Sequence, residues 1–158
     1  MPHSVARELI DRYWDYSLPV NPARIAERMG IQVVTESDSS ISGKAEITPD
    51  GAFISFNPND AEVRRRFTLA HELGHLALNH VTPSSPCLRD PSQNFSLSNY
   101  DAKESEANRF AAELLMPAKA IEILIEKRDI TDFSELARQF NVSLLAMEYR
   151  LKNLGWIR

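Results

Sequence analysis

Two histidines and a glutamate within five residues constrain the fold of this chain more than any other feature. His71, Glu72 and His75 form the pattern His-Glu-x-x-His. On an α-helix, positions i and i+4 lie on one face, so two imidazoles at this spacing can bind one tetrahedral metal ion, usually Zn²⁺. Glu72 follows the first histidine and can take a proton from a water that the metal activates. The pattern therefore predicts a helix with two metal ligands, His71 and His75, and a general base, Glu72.

The residues around this pattern predict that its helix is buried. Apolar side chains recur on the histidine face at spacings of three and four, and Leu69, Leu73 and Leu76 add a second apolar stripe. A helix that is apolar on most sides lies in the interior. Buried imidazoles are costly unless a partner compensates them, and a metal ion would do so. The segment 57–60, Asn-Pro-Asn-Asp, is predicted to cap the start of the helix.

A catalytic zinc ion normally has three protein ligands and one open position, so another segment has to supply the third ligand. Residues 101–117 are predicted to form a helix, because they are rich in Ala, Leu and Glu and end at a proline. At about 100° per residue, Glu104 falls on the apolar face of this helix and Glu106 falls on its flank. We predict Glu104 as the third metal ligand and keep Glu106 as the alternative.

Two further residues are considered as ligands. His80 is five residues past His75 and has turned off the metal face, so we expect it to pack beside the ligands or to hydrogen-bond one of them. Cys87 is the single cysteine, and a thiolate close to zinc could fill the open position. A lone thiol in a loop is the interpretation that we favour for Cys87, because one cysteine is an unspecific signal.

Together these residues resemble the ImmA/IrrE family of zinc metallopeptidases. The resemblance is carried by residues 66–75 and by the segment 104–117, Glu-x-x-Ala-Asn-x-Phe-Ala-Ala-x-Leu-Leu-Met-Pro. Shorter matches lie at 18–22 and at 54–57. The resemblance runs from about residue 5 to about residue 155, which is nearly the whole chain. It implies a zincin-like metallopeptidase core.

The resemblance also implies a site and a substrate class. One zinc ion per chain would be bound by His71, His75 and Glu104, with Glu72 as the base. The expected substrate is a helix-turn-helix repressor of the Xre type, whose inactivation relieves repression of a mobile element, a toxin–antitoxin operon or a stress regulon. The alternative is a regulatory binding module of the same fold that acts without cutting, as an anti-repressor or as the partner of a toxin or antitoxin.

Charge and composition exclude several classes of protein. The net charge of −4 argues against direct nucleic-acid binding, because phosphate contacts require clustered Lys and Arg. The basic run 64–66 is expected to form a solvated face. No apolar run approaches 18 residues, and the charged N-terminus does not fit a signal peptide, so we expect no membrane segment. With its single cysteine, the chain is predicted to be cytoplasmic.

The remaining patterns predict an α+β fold. Two helices precede a small three-stranded antiparallel sheet, whose strands are predicted at 31–34, 43–48 and 52–56. The residues Pro-Asp-Gly at 49–51 predict the turn of a hairpin. The sheet and the helices up to residue 117 would form the metallopeptidase core, residues 1–117.

Residues 118–158 are predicted to form a C-terminal helical extension packed on that core. Within this extension, 133–151 resembles a helix-turn-helix, with Asn141 at the turn. Because 144–149 contains no basic residue, we expect a structural or partner-docking role for it rather than DNA reading.

The connection between the two metal-bearing helices, residues 79–100, is polar and shows no periodicity. Such a length is unusual inside a compact domain. A substrate-contacting loop and a passive linker are both open interpretations. The side chain that would stabilise the oxyanion is also left open among Tyr100, His80 and the arginines.

Overall fold

The structure, a computed structural model, describes residues 2–91 and 101–158. These residues form seven helices and one four-stranded sheet. The predicted α+β class is confirmed. In chain order the elements are α1 Pro2–Tyr13, α2 Pro22–Arg28, β1 Gln32–Thr35, β2 Ile41–Thr48, β3 Gly51–Phe56, α3 Glu62–Ala77, β4 Cys87–Pro91, α4 Ala102–Leu115, α5 Ala118–Glu126, α6 Phe133–Phe140 and α7 Leu144–Asn153. Among these helices, none is long and apolar enough to cross a membrane.

The sheet differs from the predicted three-stranded antiparallel one. Its strand order is β1-β3-β2-β4, and β1 pairs with β3 in parallel. The hairpin of β2 and β3 forms as predicted, and its turn ends at Gly51, which has a φ of +123°. Strand β3 lies between β1 and β2. It runs antiparallel to β2 and in the same direction as β1.

The fourth strand, β4, lies within the connection that was predicted to be irregular. It pairs antiparallel with β2 and places Cys87 opposite Glu46 and Asp90 opposite Gly43. Pro86 precedes this strand and Pro91 ends it. A strand tolerates proline only at the edge of a sheet, because proline has no N–H to donate to the ladder. The interpretation of Cys87 as a loop thiol was wrong, because the residue is half-buried within an edge strand. Residues 92–100, including Tyr100, lie outside the described residues.

Helix α3 carries the His-Glu-x-x-His pattern between the sheet and α4. Its residues from Thr68 to His75 are all buried, as the apolar stripes predicted. The predicted cap was wrong: Ala61 precedes the helix without a side-chain hydrogen bond, and Asn57 Oδ1 instead accepts from the backbone N–H of Asn59. A bond within the preceding turn therefore replaces a cap on the helix.

The C-terminal helices pack onto the same core as α3. Ile121, Phe140 and Leu151 are buried together with Leu73 in one hydrophobic cluster. Asn141 adopts the left-handed conformation expected at the turn between α6 and α7, with φ 51° and ψ 53°. The division of the chain at residue 117 stays a prediction.

The expectation of a solvated basic face at 64–66 was wrong for Arg66. Its Nη2 donates to the carbonyl of Val20 at 2.6 Å and to that of Phe140 at 3.3 Å, and its Nε donates to the carbonyl of Asn141 at 3.2 Å. This half-buried guanidinium therefore ties α3 both to the segment before α2 and to the end of α6. Three backbone carbonyls, rather than an acidic substrate, are its partners.

Candidate metal centre

The two histidines of α3 face one point in the interior. The Nε2 atoms of His71 and His75 are 3.1 Å apart, and both side chains are fully buried. They lie four positions apart on α3, so both rings are on one face of the helix. The sequence pattern thus leads directly to this arrangement.

Helix α4 brings the predicted third residue to the same point. One carboxylate oxygen of Glu104 lies 2.8 Å from Nε2 of His71, and the other lies 3.1 Å from Nε2 of His75. Glu106, the alternative, instead reaches His80, with Oε1 2.8 Å from Nε2. The structure therefore brings Glu104, and not Glu106, to the two histidines.

A fourth donor, Asp90, was missed by the sequence reasoning. Its Oδ2 lies 3.3 Å from Nε2 of His71 and 3.6 Å from Nε2 of His75. Asp90 is buried near the end of β4, a strand that the sequence pattern did not predict. Only the pairing of β4 with β2 places this carboxylate beside α3, so no local signal could have identified it.

A chain of three side chains extends outward from His75. Its Nδ1 lies 2.9 Å from Nδ1 of His80, and Nε2 of His80 in turn contacts Glu106. His80 is buried, so the expectation that it packs against or hydrogen-bonds a ligand is confirmed. Since its Nδ1 is occupied, His75 presents Nε2 to the interior point. A metal-binding histidine commonly has such a partner on its far nitrogen.

The donors fit a tetrahedral metal ion. One ligand atom from each of His71, His75, Asp90 and Glu104 lies within 4.8 Å of all the others. Ligands held about 2.0–2.1 Å from a tetrahedral zinc ion lie roughly 3.3 Å from one another. The contacts of the two histidines with each other and with the two carboxylates, 2.8–3.6 Å, lie around this value. Nitrogen and carboxylate oxygen are also among the ligand types of Zn²⁺.

The sequence profile of peptidase family M78, the IrrE N-terminal-like domain, matches residues 26–152. The chain belongs to this family. The resemblance to the ImmA/IrrE peptidases is thereby confirmed. The match covers α3, β4 and α4, so the whole cluster of donors lies within the family's domain.

Individual proteins are also similar to the chain. It is 30% identical over 117 residues to uncharacterized immunity region protein 2 of Bacillus phage phi105, across 73% of this chain and 71% of the phage protein. A transcriptional regulator of Mycobacterium tuberculosis superposes on 96% of this chain with a TM-score of 0.64 and 17% identity. At that identity the likeness shows the fold alone. The chain spans 46% of the regulator's length.

The electrostatics of the cluster favour positive charge at its centre. Burial lowers the pKa of His71, but contacts with Asp90 and Glu104 outweigh it and raise that pKa to about 9. The pKa of His75 is raised by the same balance. Burial raises the pKa values of Asp90 and Glu104, yet the histidines outweigh it and hold both below their ordinary values. A cation placed among these four groups would meet two carboxylates and two imidazoles.

Glu72 lies next to the cluster without taking part in it. Its carboxylate is buried, and the carboxyl group of Asp90 is its close neighbour. Burial first, and then the neighbouring Asp90 carboxyl, raise the pKa of Glu72 well above its usual value. A β-carbon at Gly43 would lie 2.9 Å from its Oε2, so the glycine of β2 makes the space that this carboxylate occupies. A raised pKa suits a group that accepts and returns a proton near neutral pH.

Proposed function

We propose that this chain is a zinc-dependent endopeptidase. The observation that carries the proposal is the convergence of His71, His75 and Glu104 on one point with the carboxylate of Glu72 beside it. These three residues would hold the ion, and Glu72 would serve as the general base. Membership of a peptidase family supports the same activity.

The residues of the chain have distinct parts in the proposed reaction. The bound zinc would polarise the scissile carbonyl and make water more acidic. Glu72 would accept the proton of the attacking water and deliver it to the leaving amine, which turns a poor leaving group into a neutral one. The contact of His80 with Nδ1 of His75 would fix the orientation of that imidazole.

The proposed substrate is a helix-turn-helix repressor of the Xre type. One similarity supports a target in gene regulation, because a relative that is 30% identical is named as a phage immunity region protein. The negative net charge favours a protein target over DNA itself. Inactivation of the repressor would release a mobile element, a toxin–antitoxin operon or a stress operon, and we place this activity in the cytoplasm.

Replacement of Glu72 by Gln tests the proposal. The purified protein, loaded with one equivalent of zinc, is incubated with a purified helix-turn-helix repressor of the Xre type, and fragments are identified by mass spectrometry. The wild type and Glu122→Gln, a matched change on the exposed part of α5, should cut the repressor. Glu72→Gln should bind zinc normally and show no cleavage, a loss of at least about 100-fold. Full cleavage by this variant would rule out the proposed mechanism.

A second function, regulation by binding alone, is favoured by one observation. Asp90 supplies a fourth donor at the point where a catalytic site would keep an open position. The chain would then sequester its repressor, a toxin or an antitoxin without cutting it. The same incubation separates the two functions, because sequestration gives a stable complex of intact chains whether or not Glu72 is present.

A further inference from the structure

We propose that Asp90 is a fourth metal ligand, which closes the site until the end of β4 withdraws. This inference rests on the proposed function for the identity of the site as a peptidase centre. It adds a regulatory step, because Asp90 would compete with water and with the substrate carbonyl for one position. Proteolysis would then depend on movement of a sheet edge.

The first argument is which face of the histidines Asp90 contacts. Its Oδ2 approaches the Nε2 atoms of His71 and His75, the same two atoms that face Glu104. A carboxylate that only orients a metal-binding histidine contacts the other ring nitrogen, as His80 does at Nδ1 of His75. Asp90 therefore lies on the metal side of the cluster.

The second argument is how β2 directs the Asp90 side chain. Asp90 is the cross-strand partner of Gly43, and the pairing of β2 with β4 is irregular between Ile41 and Gly43. A bulge of this kind re-aims the side chains next to it. Gly43 has no side chain of its own, and a β-carbon there would lie 2.4 Å from Cγ2 of Thr68 and 2.9 Å from Oε2 of Glu72 on α3. The carboxylate of Asp90 is thereby brought onto α3 rather than outward to solvent.

The third argument is that this strand end can be displaced at low cost. Among the residues that the structure describes, strand β4 lies at the edge of the sheet and pairs with β2 alone. Beyond Asp90 the strand contains only Pro91, whose nitrogen has no hydrogen to donate to the ladder. Edge segments with few backbone hydrogen bonds open locally at much lower free energy than a core strand. Withdrawal of Asp90 would leave the pairing at Cys87 and Leu88 intact.

The test uses the Co²⁺-loaded protein, because four-coordinate Co²⁺ absorbs visible light more strongly than five-coordinate Co²⁺. The wild type should give the strong spectrum, and acetohydroxamate, which binds at an open metal position, should leave it unchanged. In Asp90→Asn and Asp90→Ala water should take the vacated position, so both spectra should weaken when acetohydroxamate is added and raises the coordination number to five. Their Co²⁺ affinity should fall by about tenfold or more. Removal of a group that only orients a ligand already lowers metal affinity by that much.

Asp50→Asn is the matched control, since this exposed residue of the β2–β3 turn lies outside the donor cluster. It should keep the wild-type spectrum and its insensitivity to acetohydroxamate. Circular dichroism checks that each variant is folded. The acetohydroxamate titration of the wild type tests the proposal even if a variant fails to fold. The proposal is overturned if wild-type protein binds acetohydroxamate as readily as Asp90→Asn does, or if the Asp90 variants keep the wild-type affinity and a spectrum that acetohydroxamate leaves unchanged.

Cleavage assays on the same samples separate this inference from the proposed function. If both hold, Asp90→Asn should cut the repressor at least several times faster than the wild type. If the spectra change as expected but neither protein cuts, the ligand role of Asp90 stands and the peptidase proposal fails. If the wild type cuts and Asp90→Asn cuts no faster, with unchanged spectra, the peptidase proposal stands and Asp90 is not a closing ligand.

Discussion

Gly74 on α3 meets the ring of Phe110 on α4 with no side chain between them: a β-carbon at position 74 would lie 2.9 Å from Cδ1 of the phenyl ring. Real β-carbons do not approach aromatic carbons that closely, so any larger residue would push α4 away from α3. Glu104 lies on α4, six residues before Phe110, and contacts both histidines of α3. The close approach at Gly74 therefore fixes the distance across which the metal ligands meet.

Gly74→Ala should therefore weaken both the fold and the metal site. Overpacking of this kind costs about 1–3 kcal/mol, partly offset by the better helix propensity of alanine of about 1 kcal/mol. Chemical denaturation would measure the stability, and zinc titration against a chromophoric chelator would measure the affinity. Phe110→Leu should relieve the clash, so the double variant should be more stable than the sum of the two single effects predicts. Simple additivity would show that the contact does not limit the approach of α4.

The two glutamates of α4 should differ sharply in their effect on metal binding. Glu104→Gln removes a carboxylate that contacts both histidines, and it should lower zinc affinity by at least about 100-fold. Glu106→Gln changes only the outer contact to His80 and should lower it by about tenfold or less. Competition with a chelator measures both variants. Equal losses would contradict the assignment of Glu104 as the ligand.

His80 should act through the orientation of His75. His80→Ala leaves Nδ1 of His75 without its 2.9 Å partner, so the imidazole can rotate and change tautomer. The zinc affinity should fall by about 10–100-fold while the protein stays folded. His80→Gln keeps a hydrogen-bonding group of similar reach and should restore part of the affinity. A variant with unchanged affinity would mean that helix packing alone holds His75 in place.

Arg66 should matter for stability and not for recognition of a partner. Arg66→Lys loses the planar fork that reaches three backbone carbonyls, and it should destabilise the protein by about 2–4 kcal/mol. Arg65→Lys is the matched control, because its two contacts reach only carbonyls of the turn just before α3, at 3.3 Å, and its effect should be about 1 kcal/mol or less. Urea unfolding followed by circular dichroism measures both. Equal effects would contradict the role of Arg66 as a link between segments.

The metal-free protein should lose stability as the pH rises. The pKa of His71 is raised in the folded state to about 9, from an unfolded value near 6.5. Its contribution is fully present below about pH 6.5 and is lost as the pH rises through about 9. The raised pKa of Glu72 acts in the same direction. Asp90 and Glu104 have lowered pKa values, so their contributions are lost only at acidic pH.

Thermal unfolding between pH 6 and 9.5, with a chelator or with one equivalent of zinc, checks this dependence. The Tm of the metal-free protein should fall over this range. The corresponding loss of folding free energy is a few kcal/mol at most, because a shift of one pKa unit is worth about 1.4 kcal/mol. The zinc-loaded protein should not show this fall, because bound histidines are neutral and metal binding strengthens as protons leave. In His71→Gln the slope of the metal-free protein should be smaller.

Local patterns were sufficient for most of the helices and for the hairpin. Asn21 caps α2 by accepting from the backbone N–H of Arg24 at 3.1 Å, and Pro22 begins the helix; both residue types are typical of these positions. The start of α3 was predicted less well, because Asn57 bonds within its own turn rather than to the helix. Side chains such as Asn can satisfy several neighbouring backbone groups, and the sequence does not say which one they choose.

The pairing of β4 with β2 could not be predicted from the sequence. Strand β4 has five residues, one of them proline, and no alternation that distinguishes it from a loop. Its strand conformation comes from hydrogen bonds to β2, about forty residues earlier in the chain. Asp90 was missed for the same reason. Arg66 looked like a surface charge because the three carbonyls that accept from it belong to distant segments.

The sequence by itself determined the helical parts of the candidate site. The spacing of His71 and His75 and the position of Glu104 on its helical face follow from the 3.6-residue period, which is a local property of the backbone. Only the tertiary structure decided that Asp90 joins them and that Glu106 turns to His80, because both contacts depend on how β4 and α4 pack against α3. Whether the site is open or closed is thus set by a strand pairing, which no local pattern encodes.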